Sequence, residues 1–251
     1  MIKGFTAFSL IFSVSLVARS QMSADLSLTT GSNQVSLGQY GKLGGQFSYF
    51  YRGWNFSAGA GAVFSAAREK KLDAVRLSVS KDYVIKDKNI TTVAFYQFAP
   101  FSARLNDHAA GLLFNHKSRR WYYDLGLNTR FYAFTQKYKG KAGYGENVLW
   151  EPVNVIYRLT WHKPIGDKFE INPSVTNFDQ FIIQQETNPF VLADFQYKLN
   201  VKSKIYFDVA YQQSGFFNIR VNYFGYYLRG GYKVNIGTIP ENHIKLKPIE
   251  L

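Results

Sequence analysis

The chain of 251 residues contains no cysteine. That excludes a disulfide scaffold, a thiolate metal site and a lipid-anchored cysteine. Acidic residues are also scarce: 17 Asp and Glu stand against 30 Lys and Arg, for a net charge of +13. Above all, a long apolar run is missing. Beyond the N-terminus no stretch approaches the roughly 20 apolar residues that a membrane helix needs. If the mature chain enters lipid, it must do so as closed strands, because unpaired backbone cannot stay in hydrocarbon. What is abundant is aromatic: Tyr 18 and Phe 22, a bias shared by strands and by the girdles of membrane barrels.

The N-terminus carries an address. Met1-Ile2-Lys3 is a short basic start, Phe5 to Val17 is apolar, and Ala18-Arg19-Ser20 places small residues at the two positions a signal peptidase reads. The expected organisation is a signal peptide over 1–20, a barrel over 21–237 and a periplasmic tail over 238–251. Such an address argues against nucleic acid as the partner of the positive charge.

Period-two alternation recurs along the mature sequence. Trp121, Tyr123, Leu125 and Leu127 share one parity, while Asp124, Gly126, Asn128 and Arg130 share the other. A strand with that pattern has two faces in different media. The same unit appears in Ala24, Leu26 and Leu28 against Asp25, Ser27 and Thr29. It appears again in Phe47, Tyr49 and Tyr51 against Gln46, Ser48 and Arg52, and in Val155, Tyr157 and Leu159 against Asn154 and Arg158. Both parities of residues 90–98 are apolar, so their faces stay unassigned. Gly31 to Lys42, Ala99 to Asp107, Gln136 to Asn147 and Asn177 to Asn188 read as connections. Short and long connections alternate along the chain, as in outer-membrane barrels with short periplasmic turns, longer outer loops and an even strand count. Near Phe224 the parity flips, which admits either one bulged strand or an added hairpin; the bulged strand gives twelve. The fold expected is therefore all-β, a closed antiparallel transmembrane barrel of about twelve strands.

On that pattern the whole mature chain resembles the Gram-negative outer-membrane β-barrel class, especially small porin-like barrels, which implies the cell outer membrane as its location. Lipid-facing residues are expected to include Tyr123, Leu125, Leu127, Val155, Tyr157, Leu159, Phe195 and Phe207. The lumen is expected to be lined by Arg76, Asp124, Arg130, Arg158, Glu170, Asp194, Asp208 and Arg229, with Arg52, Lys198, Lys204 and Lys233 adding to an excess of bases. Such groups either cross-link into a network or line a modestly anion-favouring pore. Basic connections such as Lys117, Arg119 and Arg120, or Lys137, Lys139 and Lys141, suit anionic headgroups and lipopolysaccharide phosphates.

His116-Lys117-Ser118, followed by Asn128 and Arg130, faintly resembles the His-x-Ser and later Asn of the outer-membrane phospholipase A family. The resemblance implies Ser118 as nucleophile, His116 as base and Asn128 as its orienter. The chain departs from the family at Arg119-Arg120, where the motif continues Asn-Gly. By strand rise, Asn128 also lies about 25 Å from the turn. His108, His162 and His243 have no ligand spacing, and Gly59-Ala60-Gly61 sits inside a strand pattern rather than before a helix; no metal or cofactor is expected. Three functions follow, in order of preference. The first is a passive porin-like channel for small polar or anionic solutes, biased by Arg76, Arg130, Arg158 and Arg229. The second is a non-conducting structural or assembly component that offers its loops or tail to a protein partner. The third is a lipid hydrolase.

Overall fold

A computed structural model describes residues 21–33, 38–64, 71–85, 88–100, 105–135, 149–179, 182–183, 189–212 and 225–237. The expected signal peptide, the tail, the loop around Lys137 to Lys141 and the parity flip at Phe224 lie outside these residues. In chain order the elements are β1 (Gln21–Asn33), β2 (Gly38–Tyr51), β3 (Trp54–Phe64), β4 (Leu72–Ile85), β5 (Lys88–Pro100), β6 (Leu105–Lys117) and β7 (Trp121–Phe134). They continue with β8 (Leu149–Trp161), β9 (Lys163–Ile165), β10 (Phe169–Thr176), β11 (Phe178–Asp179), β12 (Ile182–Ile183), β13 (Phe190–Lys198), β14 (Ser203–Gln212) and β15 (Gly225–Ile236).

Each long strand pairs antiparallel with its neighbours. The circle closes where β1 meets β15, with Met22 opposite Ile236 and Asn33 opposite Gly225. Twelve strands make the wall; β9 continues the line of β8 along β10, and among the described residues β11 pairs with β12. Closure removes the exposed edges that an open sheet of this length would present. Both chain ends of the barrel lie at the end that carries the short turns.

Alternation decides which face meets lipid. Leu26 and Leu28 are 58% and 62% exposed while Ser23 and Ser27 are buried, and Leu125 and Leu127 are exposed while Asn128 and Arg130 are buried. In a soluble protein such a lateral surface would collapse; around a closed barrel it is the hydrocarbon-facing band. Trp54, Trp121 and Trp161 gather on the outer face at the short-turn end. Lys81 lies 4.8 Å from the Trp54 ring centre and Lys163 5.6 Å from that of Trp161, the aromatic and cationic pairing suited to a headgroup layer.

Three local features correct the sequence reading. The expected connection Gly31 to Lys42 is mostly strand, since β1 reaches Asn33 and β2 starts at Gly38; likewise β5 and β6 run to Pro100 and from Leu105. Arg52 does not enter the lumen. It occupies the two-residue turn between the paired Tyr51 and Trp54 with φ 49, followed by Gly53 at φ 79. Positive φ at both central residues gives the primed turn whose twist matches the flanking strands. Finally, the unassigned β5 turns Phe95 and Gln97 inward and Tyr96 outward.

Pro173 explains the break between β8 and β9. It has no N–H to donate, which weakens the ladder on the β8 and β9 side, while pairing with β13 continues through it. β10 pairs with β8 through Ser174 to Thr176 and with β9 through Phe169 to Ile171, leaving Asn172 and Pro173 out of both ladders. There the side chains bridge instead, with His162 Nδ1 and Asn172 Oδ1 2.8 Å apart.

Candidate functional site in the barrel interior

The inward faces of the strands build the site. Of the residues expected to line the interior, Arg130, Asp208 and Arg229 are buried at 4%, 3% and 6% exposure. Arg76, Asp124, Arg158, Glu170 and Asp194 share the inward parity and are partly buried. Of those expected to face lipid, Tyr123, Leu125, Leu127, Val155, Leu159 and Phe207 are exposed, and Tyr157 and Phe195 are partly so.

Sequence reasoning missed the acids that complete the interior. Asp107 of β6 binds Arg130 of β7 in a buried ion pair, and Asp73 of β4 reaches Lys42 of β2 at 2.9 Å. Asp208 of β14 receives Arg229 Nε at 2.6 Å. With Arg52 removed and Asp73 and Asp107 added, acids and bases nearly balance, which weakens the expected excess of bases. Asp107 and Lys42 were hidden because they fell in segments read as connections. Asp73 was hidden because the β3–β4 register shifts beside it, between Gly61 and Ala62. A bulge of that kind breaks parity, the only sequence signal available.

Toward the short-turn end the polar groups are linked in chains. Lys204 donates to Gln196 Oε1 at 2.6 Å, Gln196 donates to Asp194, and Asn172 also donates to Asp194, at 3.1 Å. Tyr206 donates to Asp25 at 2.7 Å, and Lys198 pairs with Glu170 at 2.5 Å. Buried or half-buried charges require such partners.

The interior is lopsided. From β1 to β4 many inward residues are small, including Ser27, Gly44, Ser57, Gly59, Gly61 and Ser78, set among the larger Tyr40, Lys42, Gln46 and Arg76. Next to them in the wall, β5, β6 and β8 supply Phe95, Ala109, Leu113 and Ile156, which pack with Phe178 into a buried apolar cluster. Phe178 enters because the chain leaves the wall after Thr176. Asn177 takes over the edge of β8 with its side chain: Tyr157 N donates to Asn177 Oδ1 at 2.8 Å, and Asn177 Nδ2 donates to the Val155 carbonyl at 2.7 Å. The amide group thus replaces a peptide unit in the ladder and frees the main chain to turn inward. Arg158 holds the infolded residue, donating to the Phe178 carbonyl at 3.1 Å with its guanidinium 5.0 Å from the ring centre. Arg76 similarly lies 5.1 Å from the Phe95 ring centre.

The residues that resemble a phospholipase motif are not brought together. His116 lies on the outer face, stacked on Tyr123 with ring centres 6.2 Å apart. Ser118 is in the exposed turn, whereas Asn128 is 3% exposed on the inward face, opposite Gly111. Base and orienter stand on opposite sides of the wall. Among the described residues, no group of His, Asp and Glu has the geometry of a metal site.

Comparison with solved structures agrees with this architecture. An outer-membrane channel from Pseudomonas putida F1 aligns with a TM-score of 0.50 at 8% identity, covering 88% of this chain and 96% of that one. Outer membrane phospholipase A from Escherichia coli aligns at 0.46 and 9% identity, covering 84% and 89%. The KdgM porin aligns at 0.43 and 11% identity, covering 84% and 98%. At these identities the likeness is one of fold, and the fold is that of outer-membrane β-barrels. No protein-family model matches the sequence, and no curated protein does so either.

Proposed function

We propose that the protein is a passive channel of the outer membrane for small polar or anionic solutes. The observation that supports this reading is the uneven lining: the inward face of β1 to β4 is polar and rich in Ser and Gly, while the bulky apolar residues gather on β5, β6 and β8, and the proposed path runs beside the small residues. Arg130 and Arg229 bring acids with them, so they contribute little net field. Asp124 likewise stands opposite Arg158 across β7 and β8, so the anion bias is weak and comes from the small excess of inward bases, Arg76 among them. In planar bilayers the purified barrel gives discrete conductance steps with a weakly anion-selective reversal potential, and Arg76→Gln moves that potential toward neutrality. No conductance above background would overturn the reading.

One observation favours a second reading, a non-conducting component of an outer-membrane assembly. The apolar cluster around Phe178 reaches into the interior from the wall, and a barrel closed by it would present only its loops and tail to a partner. The same conductance measurement separates the two. In either case, exposed Lys117, Arg119 and Arg120 sit at the short-turn end and engage the headgroups of the periplasmic leaflet. Engagement of lipopolysaccharide falls to outer loops.

A further inference from the structure

At three successive inward positions of β1 the flanking residues are nearly symmetric. Gly31 pairs with Tyr40 on one side and Tyr227 on the other; Thr29 pairs with Lys42 and Arg229; Ser27 pairs with Gly44 and Gly231. All of these have inward parity. Down the strand the flanking residues are therefore two tyrosines, then two cations, then two glycines.

Each level has a physical role. A Cβ at Gly31 would collide with the Tyr226 carbonyl and the Tyr40 ring, so glycine there lets Tyr40 lie across the strand. Tyr40 and Tyr227 are 7% and 6% exposed. Each cation sits by the ring above it, Lys42 at 5.2 Å from the Tyr40 centre and Arg229 at 5.4 Å from that of Tyr227. Each is also ion-paired on the side away from β1, Lys42 with Asp73 at 2.9 Å and Arg229 with Asp208 at 2.5 Å. Beneath them Gly44 and Gly61 leave a pocket whose free space is about 20 Å³, with Ser27 and Thr29 among the residues that line it. That is room for one water or one hydroxymethyl arm.

The charges choose the ligand. An incoming anion meets Asp73 and Asp208 as well as the cations, and an incoming cation meets Lys42 and Arg229. A neutral hydroxyl is donor and acceptor at once, so it satisfies ammonium, guanidinium, carboxylate and serine or threonine hydroxyl alike. The tyrosine rings add apolar faces for C–H groups. We propose that this pocket is a subsite for a neutral polyhydroxylated solute, a polyol or monosaccharide, which seats one hydroxyl-bearing arm between Lys42 and Arg229 while the remainder lies in the lumen. The inference rests on the channel reading for the route by which solute arrives, but its chemistry is independent of it.

The test uses the refolded full barrel with D-glucose as probe and acetate as the anionic competitor. In planar bilayers glucose blocks the current saturably, beyond the effect of viscosity. The half-blocking concentration rises at least about tenfold in Thr29→Val and in the paired Lys42→Met/Asp73→Asn variant. Both variants are first checked for heat-modifiable migration on gels, and Thr29→Val, which removes one hydroxyl, covers the case in which the ion-pair variant fails to fold. Saturable block by acetate but not glucose would overturn the proposal in favour of an anion site, and block by neither would overturn it outright. If the barrel carries no current, the channel reading fails while the subsite is still tested. Calorimetric titration of the micelle-folded barrel with glucose then shows saturable heat that Thr29→Val abolishes, and absence of that heat overturns the proposal.

Discussion

Asn177 gives the sharpest test of how the wall and interior are joined. The residue is 4% exposed, and its amide makes two bonds to the backbone of β8, at 2.8 Å from Tyr157 N and 2.7 Å to the Val155 carbonyl. Asn177→Ala leaves that N–H and that C=O without partners in a wall whose outer side is hydrocarbon. At about 1–3 kcal/mol for each of the two buried groups left unsatisfied, the expected loss is roughly 2–6 kcal/mol. Asn177→Asp is nearly isosteric, yet it replaces the donor that faces Val155 with a charged acceptor, so it costs at least as much as alanine. Urea unfolding of the barrel in vesicles reads both values, and amide hydrogen exchange at Tyr157 accelerates in both variants. The reasoning would be refuted if Asn177→Asp stayed within about 0.5 kcal/mol of the parent, the usual range for surface changes, with Tyr157 still protected. Asn177 would then be a spacer, and the inward turn of the chain would have another cause.

Three further outcomes follow from the same geometry. Phe178→Ala removes the infolded member of the apolar cluster, so single-channel conductance rises in bilayer recordings while the barrel loses about 3–5 kcal/mol in urea titration, less if the cluster collapses around the gap. Asp107→Asn removes the carboxylate charge that pairs with buried Arg130 and costs up to about 3–5 kcal/mol; adding Arg130→Met restores most of the loss, because removing both members of such a pair is far less costly than removing one. Leu125→Arg, on the lipid-facing wall, costs about 2–4 kcal/mol in vesicles, and the cost falls when the barrel is held in detergent micelles that deform around the charge.

Much of the wall was legible because a strand whose two faces meet lipid and water has only one side-chain period available to it. Leu125 and Leu127 against Asn128 and Arg130 are enough to orient β7, and connection lengths are enough to place the turns at one end and the loops at the other. Where that period is disturbed, legibility stops. β5 has apolar residues on both parities because its inward Phe95 belongs to a buried cluster rather than to lipid. The start of β2 looked like a polar connection because Tyr40, Lys42 and Gly44 serve the interior and glycines interrupt the outward face.

By itself, then, the sequence determined the class of structure: exclusion of helices from the membrane, a closed sheet, and the assignment of most side chains to outside or inside. Those properties depend on neighbours along the chain. Only the tertiary structure decided which inward charges neutralise one another, that Tyr40 and Tyr227 face each other across Gly31, and that Phe178 folds into the interior. Partners such as Arg130 and Asp107, or Lys42 and Asp73, are chosen by the register between strands. Register is fixed by closure of the whole barrel rather than by any one strand's pattern.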